Sequence, residues 1–352
     1  MKKLLQISAF LLAAVFLMPL AAVELSAKTE QTSSSSFSEE AQQKALPEPV
    51  TQEAPLLMKS PSATDRQQTV TLLTEGTVRE LSMHDYLVGV LASEMPASFP
   101  EEALKAQAIA ARTYAFYKKS LYAEETEVHR GAQLCDDPGH CEAFTDLETK
   151  AEDLWGDSAE LYRDRIESAV DATDGLILTY QEEPIAAVFC AASGEITENA
   201  QDIWGTALPY LVSVESPGGQ ECAKYLGEVN ISQKDFTEAV KARHPEADFS
   251  ASPGEWFQEL RRSEAGSVLS AKVGGIIMDG KELRQLVGLN SANFTVSLED
   301  ERMVFHTVGY GHGVGMSQYG ARYMALAGKN CEEILLHYYP GAVLETGKTD
   351  FE

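Results

Sequence analysis

The chain of 352 residues is poor in basic side chains. Its 28 lysines and arginines stand against 54 aspartates and glutamates, which gives a formal charge of −26. No basic cluster offsets this balance. Because phosphate groups are bound by clustered lysine and arginine, the composition excludes nucleic acid as a partner. It also disfavours tight adsorption to an anionic membrane surface.

Several catalytic signatures are also missing. The segment CAASGEITEN, which contains Ser193, lacks the G-x-S-x-G elbow of serine hydrolases, and no H-E-x-x-H motif occurs. The glycine-rich GYGHGVGM departs from G-x-G-x-x-G at Val314 and Met316. The sequence therefore gives little support for a serine triad or a nucleotide site. The five cysteines cannot all pair within the chain, and no internal repeat is present.

The N-terminus indicates export. Lys2 and Lys3 precede a predominantly apolar run over residues 4–23, which approaches the roughly 20 residues that span a bilayer. Small residues follow it, so cleavage is open, but no clean A-x-A site is present and a retained anchor over residues 1–24 is favoured. The two lysines place the bulk of the chain outside the cytoplasm. Residues 25–68, rich in Ser, Glu, Gln and Pro, predict a disordered linker before a domain over 69–346.

The domain shows an α+β pattern of mixed helices and short antiparallel strands. TVTLLTEGTVRELSM predicts a strand pair, and HDYLVGVLASEM a helix capped by Ser82. Ser98 and Glu101 predict a capping box for an alanine-rich central helix over residues 99–123. SQKDFTEAVKARH and GEWFQELRRSE predict two more helices. Near the end, Gly328 is expected to close one helix and Asn330 to start the next. We expect one catalytic unit with a cleft.

Glu94 is the sharpest candidate for chemistry. It falls in the last turn of a predicted helix, where the macrodipole and apolar neighbours both raise the pKa of a carboxyl group. A raised pKa suits a general acid. The alternative is a solvated glutamate at a helix end. Lys105 and Arg112 share one face of the next helix, so they either direct cations to a ligand beside Glu94 or pair with nearby carboxylates.

Two further segments carry candidate ligands. In GYGHGVGMSQYGA, glycine density suggests a backbone that passes close to an extended ligand, with His312, Gln318 and Tyr319 as sugar contacts; a structural turn is the alternative. HRGAQLCDDPGHC supplies soft ligands for Zn²⁺. A Cys135–Cys141 disulfide is the competing interpretation. The four candidate metal ligands are His129, Cys135, His140 and Cys141.

DYLVGVLASEMPASFPEEALKAQAIAARTYA and GHGVGMSQYGARYMALAGKNCEEILLHYYPG closely resemble the stage II sporulation protein D family, over residues 69–343. The resemblance implies a lytic transglycosylase that cleaves MurNAc–GlcNAc bonds of peptide-stripped peptidoglycan and leaves 1,6-anhydroMurNAc ends. It implies that Glu94 is the catalytic acid and base and that Lys105 and Arg112 bind substrate. Clostridial members further imply a zinc set of His129, Cys135 and Cys141, with His140 a bystander.

The resemblance also implies a biological setting. Family members act in the mother-cell membrane during engulfment, with their catalytic domain in the intermembrane space. Their expected partners are the sporulation amidase, stage II sporulation protein P, and the membrane protein stage II sporulation protein M. One departure concerns a family stretch, S-G-G-x-T-E, where Glu195 replaces the second glycine, so a substrate contact by Ser193 is less certain. A non-catalytic amidase enhancer and a zinc hydrolase are the competing functions.

Overall fold

The computed structural model describes residues 64–121 and 128–347, which form a mixed α+β fold with short strands, as predicted. The predicted anchor and residues 25–63 of the predicted linker lie outside these ranges. Of the helices within them, none is both long and apolar enough to cross a membrane. The end of the predicted linker is a helical turn, α1 (Thr64–Gln67), with a buried Asp65. The folded part therefore begins earlier than Thr69.

The first part of the chain sets two helices against a small sheet. Its elements are β1 (Thr69–Thr74), β2 (Thr77–Ser82), α2 (Met83–Glu94), α3 (Glu101–Ser120) and β3 (Leu134–Cys135). The predicted strand pair is confirmed: β1 lies antiparallel to β2 and parallel to β3. The cap of α2 is also confirmed, because the Ser82 hydroxyl accepts the Asp85 N–H.

Helix α3 is the central helix, as its alanines predicted. Ala106 and Ala110 pack in one hydrophobic core, whereas Ala108 and Ala111 pack in another. The predicted Ser98 cap is wrong, because Pro100 occupies the N-cap position and no side chain caps this end. The fixed φ of proline, −53° here, already directs the chain into the first turn.

Short elements follow around α3. They are α4 (Leu147–Trp155), α5 (Ala159–Ala172), β4 (Leu176–Tyr180), β5 (Glu183–Pro184), β6 (Phe189–Cys190) and α6 (Ala200–Trp204). Strand β4 pairs antiparallel with β5 and packs on α3, where the amide of Leu178 donates to the Thr113 hydroxyl. This contact ties the middle of the chain to the central helix.

Residues 226–308 have a hydrophobic core of their own. The elements are β7 (Leu226–Ser232), α7 (Gln233–Arg243), β8 (Phe257–Arg262), β9 (Val268–Val273), β10 (Ile276–Met278), α8 (Gly280–Val287), β11 (Phe294–Glu299) and β12 (Arg302–Val308). Two three-stranded antiparallel sheets, β11-β12-β7 and β10-β9-β8, border this core. The helix predicted in GEWFQELRRSE is wrong. That segment forms β8 against β9, and Leu260, which would extend its apolar face, is exposed.

The end of the chain returns to the middle. Its elements are β13 (Met316–Ser317), α9 (Gln318–Leu326), α10 (Cys331–Tyr338) and β14 (Val343–Thr346). Strand β13 pairs parallel with β6, and β14 antiparallel with β4. The predicted helix signals are confirmed: Gly328 has φ +87° just beyond α9, and Asn330 forms a capping box with Glu333. The glycine-rich loop 309–315 thereby lies beside β6.

Candidate active site and metal cluster

Glu94 is the last residue of α2. The helix stops there because Met95, which precedes a proline, takes an extended conformation with φ −127° and ψ 135°. The half-buried Glu94 side chain accepts a hydrogen bond from the Ala143 N–H, with an N···Oε1 distance of 2.9 Å. Burial raises the pKa of Glu94, and this hydrogen bond offsets only part of the rise. The predicted direction of the shift is confirmed.

A second carboxyl group, Glu142, belongs to the surroundings of Glu94 and was missed from the sequence. Its side chain is 2% exposed, and its Oε2 accepts the Tyr86 hydroxyl at 2.9 Å. Burial raises the pKa of Glu142 well above its usual range, and the charge of Glu94 raises it further. Within the described part of the chain, Oε1 has no hydrogen-bond partner. The one available signal was its position directly after Cys141.

The candidate metal ligands form one buried cluster. Its members are His129, Cys135, His140 and Cys141, and their ligand atoms all lie within 4.8 Å of one another. Two local features bring the ligands together. Cys135 ends strand β3, and it is followed by a turn in which the amides of His140 and Cys141 donate to the Asp137 carbonyl. His140 is therefore a member of the cluster, and it is a fourth candidate ligand beside the three that the resemblance implies. Both thiols are free, so the disulfide alternative is not formed.

The donor set fits a tetrahedral metal ion. The distances between ligand atoms are 2.9 Å from His129 Nε2 to His140 Nδ1, 3.5 Å from Cys135 Sγ to His140 Nδ1, and 3.4 Å from Cys141 Sγ to His129 Nε2. In a tetrahedral zinc site with two thiolates and two imidazoles, neighbouring ligand atoms lie roughly 3.3–3.8 Å apart. The two sulfur–nitrogen distances fall in this range, and the nitrogen–nitrogen distance is shorter. Hydrogen bonds from Cys141, His129 and His140 lower the pKa of Cys135, whereas burial raises the pKa of Cys141, so one thiolate of the pair is favoured before a metal binds.

Lys105 and Arg112 both have carboxylate partners, which is the alternative left open for them. Lys105 Nζ lies 2.5 Å from Glu101 and 3.0 Å from Glu102. Burial lowers the pKa of Lys105, but these two hydrogen bonds outweigh it and the net shift is upward. Arg112 is 0% exposed and its Nε and Nη2 donate to Asp65 in α1. The structure thus gives Arg112 a place in the core and not in a cleft.

Ser193 and Gln318, two predicted substrate contacts, are also buried. The Ser193 hydroxyl donates to Ser216 Oγ at 2.7 Å. Gln318 Nε2 donates to Gln107 Oε1 on α3 at 3.4 Å. Both side chains therefore join elements of the core.

The glycine-rich loop packs on the protein's own backbone. Gly309, Gly311, Gly313 and Gly315 all have positive φ, and a Cβ on Gly315 would collide with the Val188 carbonyl oxygen. The close approach of this loop to the protein's own backbone thus requires glycine at position 315.

The two side chains assigned to this region have protein partners. His312 Nδ1 accepts the Val314 N–H, and its ring lies 5.4 Å from that of Trp204. Burial, together with the charge of Arg284, lowers the pKa of His312 to about 4. The half-buried Tyr319 packs edge-on against Phe99, which follows Glu94 along the chain, at 5.1 Å.

Comparisons with known proteins agree with this arrangement. The Stage II sporulation protein family matches residues 73–180, which include Glu94 and all four cluster ligands. Stage II sporulation protein D of Bacillus subtilis (strain 168) is 38% identical over 267 residues, 75% of each chain. Its counterpart in Bacillus amyloliquefaciens is 36% identical over 287 residues, 82% of this chain and 80% of that one.

A more distant relative has a different name. The Amidase enhancer of Bacillus subtilis (strain 168) is 26% identical over 306 residues, which cover 73% of this chain and 40% of that protein. The two closer matches are each more than twice as long as the segment that the family pattern matches. This chain therefore belongs to the stage II sporulation protein D family.

Proposed function

We propose that the protein is a lytic transglycosylase of peptidoglycan, with Glu94 as its acid and base. The observation that supports this most is the environment of Glu94: burial raises its pKa, and the Ala143 N–H binds Oε1. Because that amide occupies Oε1, the acidic proton resides on Oε2. A protonated carboxyl group with a fixed orientation is what protonation of a leaving oxygen requires.

The chemistry needs only one carboxyl group. Glu94 gives its proton to the glycosidic oxygen as the bond from that oxygen to C1 of MurNAc breaks. The resulting carboxylate then takes the proton of the MurNAc 6-hydroxyl, and O6 bonds to C1. The products are a GlcNAc end and a 1,6-anhydroMurNAc end, and Glu94 is protonated again. Glu142 is too deeply buried to serve as the second carboxylate of a hydrolase.

The setting of this reaction is proposed from family membership. Relatives at 36–38% identity carry the name of a sporulation protein. We infer that the substrate is peptide-stripped glycan in the intermembrane space during engulfment, and that the N-terminus anchors the protein in the mother-cell membrane. The sporulation amidase and the membrane protein expected from the resemblance would be the partners, since an amidase supplies glycan without stem peptides.

Zinc is the metal proposed for the cluster. The ligands would be Cys135 and Cys141 as thiolates and His129 and His140 as neutral imidazoles. When bound, a zinc ion with four protein ligands supplies structural rigidity rather than an activated water molecule, because no coordination position stays open. This donor set weakens the alternative of a zinc hydrolase, which depends on an open position.

A non-catalytic amidase enhancer is the second candidate, because a relative at 26% identity bears that name. One experiment separates the two functions. Full-length protein, Glu94→Gln and the control Glu152→Gln are incubated with peptide-free glycan strands, and anhydro-muramyl ends are counted by mass spectrometry. Glu152 is an exposed glutamate on α4.

We expect product from the wild type and the control and none from Glu94→Gln. In parallel, the same proteins are added to an amidase acting on intact peptidoglycan, and released peptide is measured. Faster peptide release that is insensitive to Glu94→Gln, without anhydro ends, would establish the enhancer and exclude the transglycosylase.

A further inference from the structure

A strap of five residues, 141–145, lies along helix α2 and contacts it at several turns. Near its start, the Glu142 carboxyl group accepts the Tyr86 hydroxyl at 2.9 Å. Two residues further on, the Phe144 side chain stacks on the Tyr86 ring, with centroids 6.2 Å apart and ring planes within 5°. Tyr86, near the start of α2, therefore holds the strap through both its hydroxyl and its ring.

The strap is fixed again in the middle of the helix. The Thr145 N–H donates to the Gly89 carbonyl at 3.2 Å, and the Ser93 hydroxyl donates to Thr145 Oγ1 at 2.8 Å. Gly89 has no room for a side chain, because a Cβ there would overlap the Phe144 ring and the Thr145 carbonyl oxygen. The glycine in the middle of a buried helix thus permits close approach of the strap.

The strap joins the metal cluster to Glu94. Cys141, the first strap residue, is a member of the metal cluster, and His140 precedes it. Ala143, two residues further, donates its N–H to Glu94 Oε1 at 2.9 Å. Only Glu142, itself anchored by Tyr86, stands between a metal ligand and the amide that orients the proposed acid.

We propose that the strap is a positioning device that couples the His/Cys cluster to Glu94. The cluster fixes the beginning of the strap, and the Tyr86–Glu142 hydrogen bond fixes its next residue. Together they hold the Ala143 N–H at Oε1, so that the proton of Glu94 stays on Oε2. Tyr86 and Glu142 are positioning residues, and the metal acts through the main chain. The coupling rests on the geometry alone, whereas its catalytic consequence rests on the proposed function.

Hydrogen exchange at the Ala143 amide tests the coupling without any turnover. It is measured on metal-loaded full-length protein by mass spectrometry with fragmentation that resolves single amides. Glu94→Ala removes the acceptor and calibrates the exchange rate of the unbonded amide. We expect Tyr86→Phe, which keeps the stacked ring and loses only the hydroxyl, to accelerate exchange at least tenfold towards that rate. Chelation of the metal is expected to do the same.

Two control variants isolate the strap. Tyr210→Phe removes another buried hydroxyl, which accepts the Ala186 N–H, and is expected to leave Ala143 exchange unchanged. Glu142→Gln keeps an acceptor for the Tyr86 hydroxyl, so the Ala143 amide is expected to exchange slowly. Glu142→Leu removes the acceptor, so the Ala143 amide is expected to exchange faster. Tyr86→Phe should still bind one metal ion per chain. If chelation unfolds the whole protein, so that amides of α3 also exchange, the Tyr86→Phe comparison decides alone.

Anhydro-muramyl product supplies the catalytic readout. For Tyr86→Phe we expect kcat to fall at least fivefold at unchanged KM, with Tyr210→Phe near wild type. Unchanged Ala143 exchange in Tyr86→Phe, or a change confined to KM, would overturn the proposal. A wild-type protein that forms no anhydro product would instead contradict the proposed function, and the exchange rates would still decide whether the strap couples the cluster to Glu94.

Discussion

The main-chain N–H of Ala143 binds the Glu94 carboxyl group over 2.9 Å, although 49 positions separate the two residues. This hydrogen bond joins the loop of the His/Cys cluster to the end of α2. It stabilises the ionised form of Glu94, yet the pKa of Glu94 is still raised because burial has the larger effect. The orientation and the protonation of Glu94 thus come from different parts of its surroundings.

Glu94 should make the protein less stable at neutral pH. A carboxyl group whose pKa is raised by folding costs free energy while it is ionised, and the cost disappears as pH falls through the folded and then the unfolded pKa. We expect Glu94→Gln to have the higher free energy of unfolding at pH 7, with a gap that closes towards about pH 4.3, the usual value for glutamate. Urea unfolding across this range measures the gap.

The stability prediction for Glu94→Gln has a matched control and a contrary outcome. Glu152→Gln, which also removes one carboxylate, controls for the change in net charge. A gap that widens as pH falls would mean that folding lowers the pKa of Glu94.

The raised pKa of Glu94 also predicts that anhydro-product formation declines as pH rises through that pKa, because the acid must enter the reaction protonated.

Asp65 should be essential for stability. Arg112 is fully buried, and removal of its carboxylate partner leaves an uncompensated charge in the core. We expect Asp65→Ala to lower the free energy of unfolding by about 3–5 kcal/mol. Asp171→Ala, which breaks the exposed pair with Arg66, should cost less than about 1 kcal/mol. Chemical denaturation measures both variants.

The double variant Asp65→Leu/Arg112→Met separates a role in folding from a role in binding. It removes both charges and should recover much of the lost stability. Because Arg112 is 0% exposed, we expect the folded double variant to bind glycan with unchanged KM. A large rise in KM would restore Arg112 as a substrate contact.

All four cluster residues should contribute to metal binding. We expect one zinc ion per chain, and His140→Ala should lower zinc affinity by at least the tenfold that loss of a supporting residue costs, as should Cys135→Ser. Cobalt substitution should give the absorption of a tetrahedral site with two sulfur ligands. Cys331→Ser controls for loss of a thiol elsewhere in the fold. Full affinity in His140→Ala would show that three ligands suffice.

Gly315 in the glycine-rich loop can be compared with Gly328, which lies just beyond α9. Both have positive φ, 73° and 87°, but a Cβ on Gly328 would meet open space whereas one on Gly315 would collide with the Val188 carbonyl. Gly328→Ala should cost about 1–2 kcal/mol, from backbone conformation alone. Gly315→Ala should cost clearly more, because main-chain atoms must move. Thermal unfolding of the two variants compares them, and equal costs would contradict the packing of this loop.

The local features of the site could be predicted from the sequence. Glu94 follows from a helix signal, a proline and apolar neighbours within one stretch, and the cluster ligands fall within thirteen residues, 129–141. His140 was set aside on resemblance, although the spacing alone had included it. The strand pair at the start of the domain and the caps of α2 and α10 were likewise set by neighbouring residues.

The features that escaped prediction depend on contacts between distant segments. Glu142 meets Tyr86 across 56 positions, and Arg112 meets Asp65 across 47. Spacing on one helix left Arg112 facing either a ligand or nearby carboxylates, and it could not reveal a carboxylate from the preceding segment. Likewise the period of GEWFQELRRSE fits a helix, while its hydrogen bonds to β9 exist only in the folded sheet.

The pairing of β14 with β4 has a consequence for the order of events during synthesis. The core on one side of α3 contains residues from Met95 to Ala342, so it stays open until nearly the whole domain has been made. Loop closure on this scale is slow, and the early segments must wait for the last strand. In a chain threaded N-terminus first through a narrow pore, this core would therefore stay open until that strand had emerged.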